Sequence, residues 1–277
     1  MRKRTRICAA IAVFMLCLLV VMGTAWLALR PDGNALWRIV SEQCVPAARA
    51  GKAHNVCARV DLADGYALLK DRVGVAQYLL IPTARITGIE SPALLLADGP
   101  NYWRAGWAGR TLVEDALGVP LPRDGIGLAI NSRYGRTQDQ LHIHIDCMRP
   151  DVVAALRAQR DGLGPQWTGL PVRLAGHRYR ALLVDDATLA HTDPFALLAD
   201  DVRARGESMG AQTLLLTGIE LAGGRPGFIL LSDQAGLGDL ASAESLLDHG
   251  CALAAPGAFR RDGGIPRNAA SDAGMNE

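Results

Sequence analysis

Positive charge is scarce outside the first thirty residues. Of 29 Lys and Arg, five (Arg2, Lys3, Arg4, Arg6 and Arg30) lie in residues 1–30, where no acid occurs; the other 24 face 28 acids, so residues 31–277 carry a net charge of −4. A nucleic-acid backbone is held by a basic face that neutralises phosphates and releases counterions, so no nucleic-acid partner is expected. The sequence has no Cys-x-x-Cys pair or Cys/His spacing of the zinc-binding kind and no Gly-x-x-x-x-Gly-Lys loop to cradle ATP phosphates. Charged residues make up only 21% and hydrophobic residues 49% of 277, which excludes a disordered or collagen-like chain. That length holds one large domain or two small ones, at roughly 100 to 200 residues per domain.

Charge is wholly missing between Ile7 and Leu29, a run of 23 residues. At about 1.5 Å per residue it reaches about 34 Å as a helix, enough for a hydrocarbon core of about 30 Å. Residues 1–30 therefore read as one N-terminal transmembrane helix. A cleaved signal peptide is the alternative, with Gly23, Thr24 and Ala25 near a cut, but the apolar run continues through Trp26 to Leu29. The basic cluster precedes the span, so the N-terminus is expected in the cytoplasm and Pro31 onward in the periplasm, at a cell inner membrane. Cys8 and Cys17 lie in the anchor, which leaves Cys44, Cys57, Cys147 and Cys251. An even number can pair in an oxidising compartment: Cys44 with Cys57 is the local choice and Cys147 with Cys251 the remainder, against four free buried thiols.

The body alternates strands and helices. Asn34 precedes a helical pattern (Leu36, Ile39, Val40, Cys44) that ends near Pro46. Val56–Val60 and Tyr66–Leu69 flank a turn at Ala63-Asp64-Gly65 and read as a hairpin. Another strand, Gln77–Ile81, stops at Pro82. Ser91-Pro92 opens a helical region that resumes at Asn101 and runs to Gly118, with Trp103 and Trp107 on one core-facing side. Strands Gly127–Asn131 and Gln140–Cys147 follow, then a helix from Pro150. Val172–Leu183 continues the mixture, before a helix near Pro194–Arg205, strands Gln212–Gly218 and Gly227–Ser232, and a helix Ser242–His249. The fold class is α+β, an antiparallel sheet with flanking helices. The expected division is anchor 1–30, catalytic domain 34–160, a second α+β half 161–255 and a mobile tail 256–277.

One short stretch carries chemistry. Residues 138–147 read Gln-Asp-Gln-Leu-His-Ile-His-Ile-Asp-Cys. On a strand Gln140, His142, His144 and Asp146 share one side, and Leu141, Ile143 and Ile145 the other. Such a polar face needs solvent, a polar network or a ligand. Two imidazoles beside an amide and a carboxylate suit a phosphate, since imidazole is nucleophile, acid or donor near neutral pH. They also offer two metal ligands, with Asp146, His177 or His191 as a third. His54, His177, His191 and His249 are otherwise expected to be surface or structural.

The His142-Ile143-His144-Ile145-Asp146 pattern resembles the histidine-triad superfamily of nucleotide hydrolases and transferases, with aspartate in the third histidine's place. Asn131, eleven residues before His142, and Gln138, four before it, match further members of that pattern. Gln77 to Pro82 resembles the strand that ends in Ile-Pro, and Asp139 replaces a common serine. Blocks in the same order resemble the bacterial CDP-diacylglycerol pyrophosphatase family: Leu69-Lys70-Asp71, Gln77 to Pro82, Ile86 to Pro92, Pro100 to Trp103, Gln140 to Ile145 and Arg149-Pro150-Asp151. Weaker blocks follow at Ser242-Ala243-Glu244 and Leu247-Asp248-His249.

This resemblance implies a histidine-triad-like sheet and hydrolysis of CDP-diacylglycerol, the lipid substrate, to CMP and phosphatidate. His144 would attack the cytidylyl phosphorus, its other ring nitrogen held by a backbone carbonyl. His142, with Asn131, Gln138 and Gln140 as phosphate-binding residues, would donate to the phosphate oxygens. Asp146 would stand behind a histidine or serve structure alone. The scheme calls for no metal and no cofactor, and no protein partner is expected. Two alternatives stay open: a metal-dependent phosphodiesterase, and a non-catalytic, membrane-tethered module that binds a lipid headgroup.

Overall fold

A computed structural model describes residues 15, 17, 32–52 and 56–255. The chain divides after Gly33 into two units. The expected anchor, apart from Met15 and Cys17, and the expected tail lie outside the described residues, as does His54. No helix among the described residues is long and apolar enough to cross a membrane.

The second unit is built on a nine-stranded antiparallel sheet. Its strands are β1 (Arg59–Asp61), β2 (Tyr66–Lys70), β3 (Tyr78–Pro82), β4 (Ile126–Ile130), β5 (Ile143–Cys147), β6 (Thr168–Leu174), β7 (His177–Asp185), β8 (Leu214–Glu220) and β9 (Pro226–Ser232). They lie in the order β1-β2-β3-β5-β4-β8-β9-β7-β6, so residues before and after 160 share one sheet. The Val172–Leu183 stretch contains a hairpin, turning between β6 and β7.

Period-two alternation divides the sheet's side chains between two unlike faces. One face is apolar throughout: Leu68, Leu80, Ile143, Ile145, Leu128, Leu216, Leu230 and Leu182 are buried together. Helices Tyr102–Gly109, Thr111–Leu117, Asp186–His191 and Pro194–Ala204 contribute Trp103, Val113, Leu189, Phe195 and Leu198 to that core. The opposite face carries two separate apolar clusters. Leu69, Leu79 and Ile81 meet Val40 and Cys44 from the N-terminal helical segment. Ala129, Leu215 and Leu231 meet Val152 and Leu156 of helix Pro150–Gln159, with Leu246 and Leu247. The polar side of β5 belongs to neither cluster.

Three local expectations change. The N-terminal helix does not end near Pro46; it continues as Ala35–Arg38, a π-helical stretch Ile39–Cys44 and Val45–Arg49. The π turn bonds Val45 N–H to the carbonyl of Val40, five residues back, just before Pro46, which has no N–H to offer. Strand β5 begins at Ile143, because the backbone just before it bonds elsewhere, the Leu141 N–H to the carbonyl of Ile86 at 2.6 Å. The helix expected at Ser242–His249 is only a 3-10 turn, Ala243–Leu246. Its flanking backbone bonds to the end of β5: Arg149 N–H to Leu246 O at 3.0 Å and Asp248 N–H to Cys147 O at 2.8 Å.

Disulfides join Cys44 to Cys57 and Cys147 to Cys251. The first ties the N-terminal helical segment to the start of the sheet; the second ties the C-terminal segment to the end of β5.

Trp103 is fully buried, 5.1 Å from the Phe195 ring. Trp103→Ala leaves a cavity between helix and sheet and is expected to cost about 3–5 kcal/mol. Equilibrium denaturation in urea, read as a lower midpoint at unchanged slope, checks this.

Candidate active site

The gap between the two apolar clusters is where β5 presents His144 and where His142, the residue just before the strand, joins it. His144 pairs across the sheet with Leu79 on β3 and Ala129 on β4, one small and one apolar neighbour. Both imidazoles are nearly buried, 8% exposed for His142 and 6% for His144, yet both line a cavity of about 650 Å³. Leu36, Ile39, Val56, Leu69, Val73 and Leu79 give that cavity an apolar wall; Lys70, Asp71, Arg72, Asn131, Gln138 and Glu244 give it a polar one.

The two rings are held differently. His142 Nδ1 lies 2.7 Å from the carbonyl of Gln140, which only accepts, so Nδ1 carries the hydrogen and Nε2 keeps its lone pair. Neither ring nitrogen of His144 has a hydrogen-bond partner among the described residues. Its Nδ1 is 3.4 Å from Oε1 of Glu244. The ring centroids stand 4.9 Å apart at 66°. Burial pushes both imidazoles down to about 4; the adjacent His144 adds to this at His142, and Asp71 opposes it at both. Near neutral pH they are uncharged nucleophiles or bases.

The carbonyl expected behind His144 thus serves His142 instead. This also corrects the donor role expected of His142: a neutral ring whose hydrogen is on Nδ1 has no N–H at Nε2 for a phosphate oxygen.

The other expected residues are placed as follows. Asn131 lines the cavity but carries the 242–244 segment: its amide donates to Glu244 Oε2 at 3.0 Å, and its carbonyl accepts from Ser242 Oγ at 2.9 Å and Glu244 N–H at 3.2 Å. Gln138 lines the cavity and accepts the Leu36 N–H at 3.1 Å. Gln140 is buried outside the walls of this cavity, and its amide donates to the carbonyls of Pro82 at 3.1 Å and Ala84 at 2.9 Å. That leaves it no N–H for a phosphate. Asp146 is fully buried; it accepts the Cys147 N–H at 2.9 Å and pairs with His249 Nδ1 at 2.8 Å. Burial pushes its carboxyl up, and the His249 bond opposes the rise.

A metal centre on the β5 histidines lacks the expected third ligand. His177 pairs with Asp239 at 2.5 Å, and His191 is exposed at the end of its helix. Two groups of three potential metal donors occur among the described residues, Asp146/Cys147/Cys251 and His177/Asp233/Asp239; neither includes His142 or His144. In the first group the cysteines are bonded to each other.

Glu244 and His249 received no site role from sequence, although both fall in the weaker blocks of the family resemblance. Asp71 was likewise passed over. It accepts from the Gln77 amide at 2.7 Å and faces the cavity.

Two neutral imidazoles at the floor of a half-apolar cavity, with Lys70 and Arg72 on its wall, suit a hydrolase for an amphiphilic phosphate compound. Residues 31–255 match the family described as CDP-diacylglycerol pyrophosphatase. A CDP-diacylglycerol pyrophosphatase of Yersinia pestis is 45% identical over 222 residues, which cover 79% of this chain and 84% of that protein. The chain belongs to the CDP-diacylglycerol pyrophosphatase family.

The buried imidazoles link folding to pH. An unfolded histidine binds its proton near 6.5, and these bind theirs only near 4, so the unfolded chain holds more protons between those values. Their contribution is complete above pH 6.5 and is lost as pH falls toward 4. Urea midpoints measured across that window should decline with acid, and the decline should be shallower in His142→Gln and in His144→Gln.

Proposed function

We propose that the chain hydrolyses the diphosphate of CDP-diacylglycerol, giving CMP and phosphatidate, through a nucleotidyl-histidine intermediate on His144. The observation that carries this is the pair of neutral, cavity-facing imidazoles of His142 and His144, just before and on β5, in a chain of this family. His144 Nε2 attacks the cytidylyl phosphorus, the bond to the bridging oxygen breaks, and phosphatidate leaves with the electron pair. Water then attacks the same phosphorus and passes a proton to the bare Nε2 of His142. The N–P bond breaks, its electrons return to His144, and CMP departs. Two displacements replace one difficult one.

The apolar wall suits the acyl-bearing end of the substrate, and Lys70 and Arg72 bring positive charge toward a diphosphate. The alternating His142 and His144 at the start of β5, a strand flanked by β3 and β4 in an antiparallel sheet, support a histidine-triad-like architecture. The uncharged run 7–29 behind a basic leader, and two disulfides in the body, support a single-pass anchor in the inner membrane with the catalytic unit in the periplasm.

A second reading has one observation in its favour. His142, not His144, has its tautomer set by a backbone carbonyl with Nε2 unprotonated, so His142 is the alternative nucleophile. Labelling separates the two. Protein is mixed with CDP-diacylglycerol carrying label in the cytidylyl phosphate and quenched in alkaline detergent, where an N–P bond survives. His144→Ala should take up no label and lose about 10⁴- to 10⁶-fold in kcat. His142→Ala should lose about 10²- to 10⁴-fold and accumulate label, since its defect lies in the water step. The converse pattern would assign the attack to His142, and absence of label from the wild type and from both variants would rule out a covalent path. Turnover abolished by chelation and restored by a divalent metal would instead favour metal-dependent cleavage.

A further inference from the structure

Attack by His144 Nε2 requires the ring's hydrogen on Nδ1, and β5 supplies no acceptor for it. An acceptor 3.4 Å away, Oε1 of Glu244, comes from a segment 100 residues further along the chain. We infer that Glu244, backed by His249 and Asp146, is the positioning carboxylate of His144: it fixes the Nδ1–H tautomer and stabilises the cationic ring while the nucleotidyl group is attached. The inference rests on the covalent reading given above.

Glu244 is held from several directions. Oε1 lies 3.4 Å from His144 Nδ1. Oε2 accepts from the Asn131 amide at 3.0 Å, and the Glu244 N–H donates to the Asn131 carbonyl at 3.2 Å. On its other side, His249 Nε2 stands 3.6 Å from the same Oε1, and His249 Nδ1 meets Asp146 Oδ2 at 2.8 Å. Asp146, His249, Glu244 and His144 thus form a row in which carboxylate and imidazole alternate from the buried sheet to the cavity floor.

Covalent and backbone links fix this row. The Cys147–Cys251 disulfide joins the residue after Asp146 to the second residue after His249. The Val75 N–H donates to the His249 carbonyl at 2.9 Å. Gly74, at φ +74°, lets that loop pass so closely that a Cβ there would sit 3.3 Å from His249 Cβ and 3.4 Å from Asp146 Oδ2. So much fixation around a carboxylate with one oxygen turned toward an unbonded imidazole is the arrangement a positioning group needs.

The chemistry balances with no net proton transfer between His144 and Glu244, the proton of the attacking water going to His142. As the Nε2–P bond forms, the ring gains positive charge and its Nδ1–H becomes a stronger donor; closing the 3.4 Å separation gives a charge-assisted hydrogen bond to Glu244. When water cleaves N–P, the electron pair returns to Nε2 and the ring is neutral again, its hydrogen still on Nδ1.

The test combines steady-state kinetics on CDP-diacylglycerol with nitrogen NMR of the full chain labelled at histidine. The wild type should show His144 with hydrogen on Nδ1. Glu244→Gln keeps the shape and the Asn131 contact, and should lower kcat by about 10²- to 10⁴-fold at nearly unchanged KM, with slower label uptake. His249→Gln, which leaves Glu244 in place, should lower kcat less, and the double variant should be no slower than Glu244→Gln because both act through one ring. If wild-type protein takes up label on His144 but Glu244→Gln turns over at the wild-type kcat, or His144 carries its hydrogen on Nε2, the role of Glu244 is overturned and the covalent reading survives. If neither wild-type nor His142→Ala protein takes up label on His144, the covalent reading itself fails.

Discussion

Burial of the polar side of β5 is the constraint from which the site's arrangement follows. The strand runs through the interior of the sheet, and one of its faces is entirely core. On the other face two apolar clusters leave a gap, and Gln140, His142, His144 and Asp146 fill it, each no more than 8% exposed. Polar groups taken out of water must find partners inside the protein. Gln140 donates to two carbonyls, His142 uses the Gln140 carbonyl, and Asp146 takes a backbone N–H and His249. Both nitrogens of His144 are left over. Leaving a buried donor or acceptor unsatisfied costs roughly 1–3 kcal/mol, a cost that proteins keep chiefly where a ligand will meet the group. The same desolvation keeps the rings neutral, so structural cost and chemical competence share one cause.

What the sequence made legible was periodic. The alternation at 140–146 located the histidines on one side of a strand, and turn chemistry at Ala63-Asp64-Gly65 and helical spacing around Trp103 gave further elements. Contacts across long sequence distances were not legible. Glu244 and His249 lie 100 and 105 residues from His144, and no local pattern ties them to it. Their segment reads as a helix because Ser242 can cap and Leu246 and Leu247 follow, yet its backbone bonds to Cys147 and Arg149 at the end of β5. Tertiary partners won over local propensity there. Four cysteines allowed three pairings. The pairing found closes a loop of 104 residues, so it could be named from sequence only as the remainder.

Gly127 shows how the C-terminal segment is admitted to the site. It pairs with Asp146 across the sheet, and a Cβ built there would lie 2.4 Å from Met148 Sδ and 2.8 Å from a Leu247 methyl. The missing side chain makes room for Leu247 to pack directly on the sheet, beside the bridge between Met148 and Leu247. From that point the chain proceeds through Asp248 to His249 with little freedom, so one empty position on β4 helps to set where an imidazole two residues further on meets Asp146.

Asn131 links the two halves of the argument. The family resemblance cast it as a phosphate donor, but its amide and its carbonyl are both engaged by Ser242 and Glu244. A residue that orients a carboxylate beside the proposed nucleophile occupies the same place in a sequence pattern as one that touches the substrate. The positive charge for a diphosphate is then left to other parts of the wall. Lys70, at the end of β2, and Arg72, just after it, flank Asp71 on the wall shared with the apolar residues. Charge attraction and apolar burial therefore act on neighbouring parts of one ligand, and the imidazoles need only be neutral and correctly turned. A substrate with a lipid on one side of its diphosphate and a nucleotide on the other matches that division of labour.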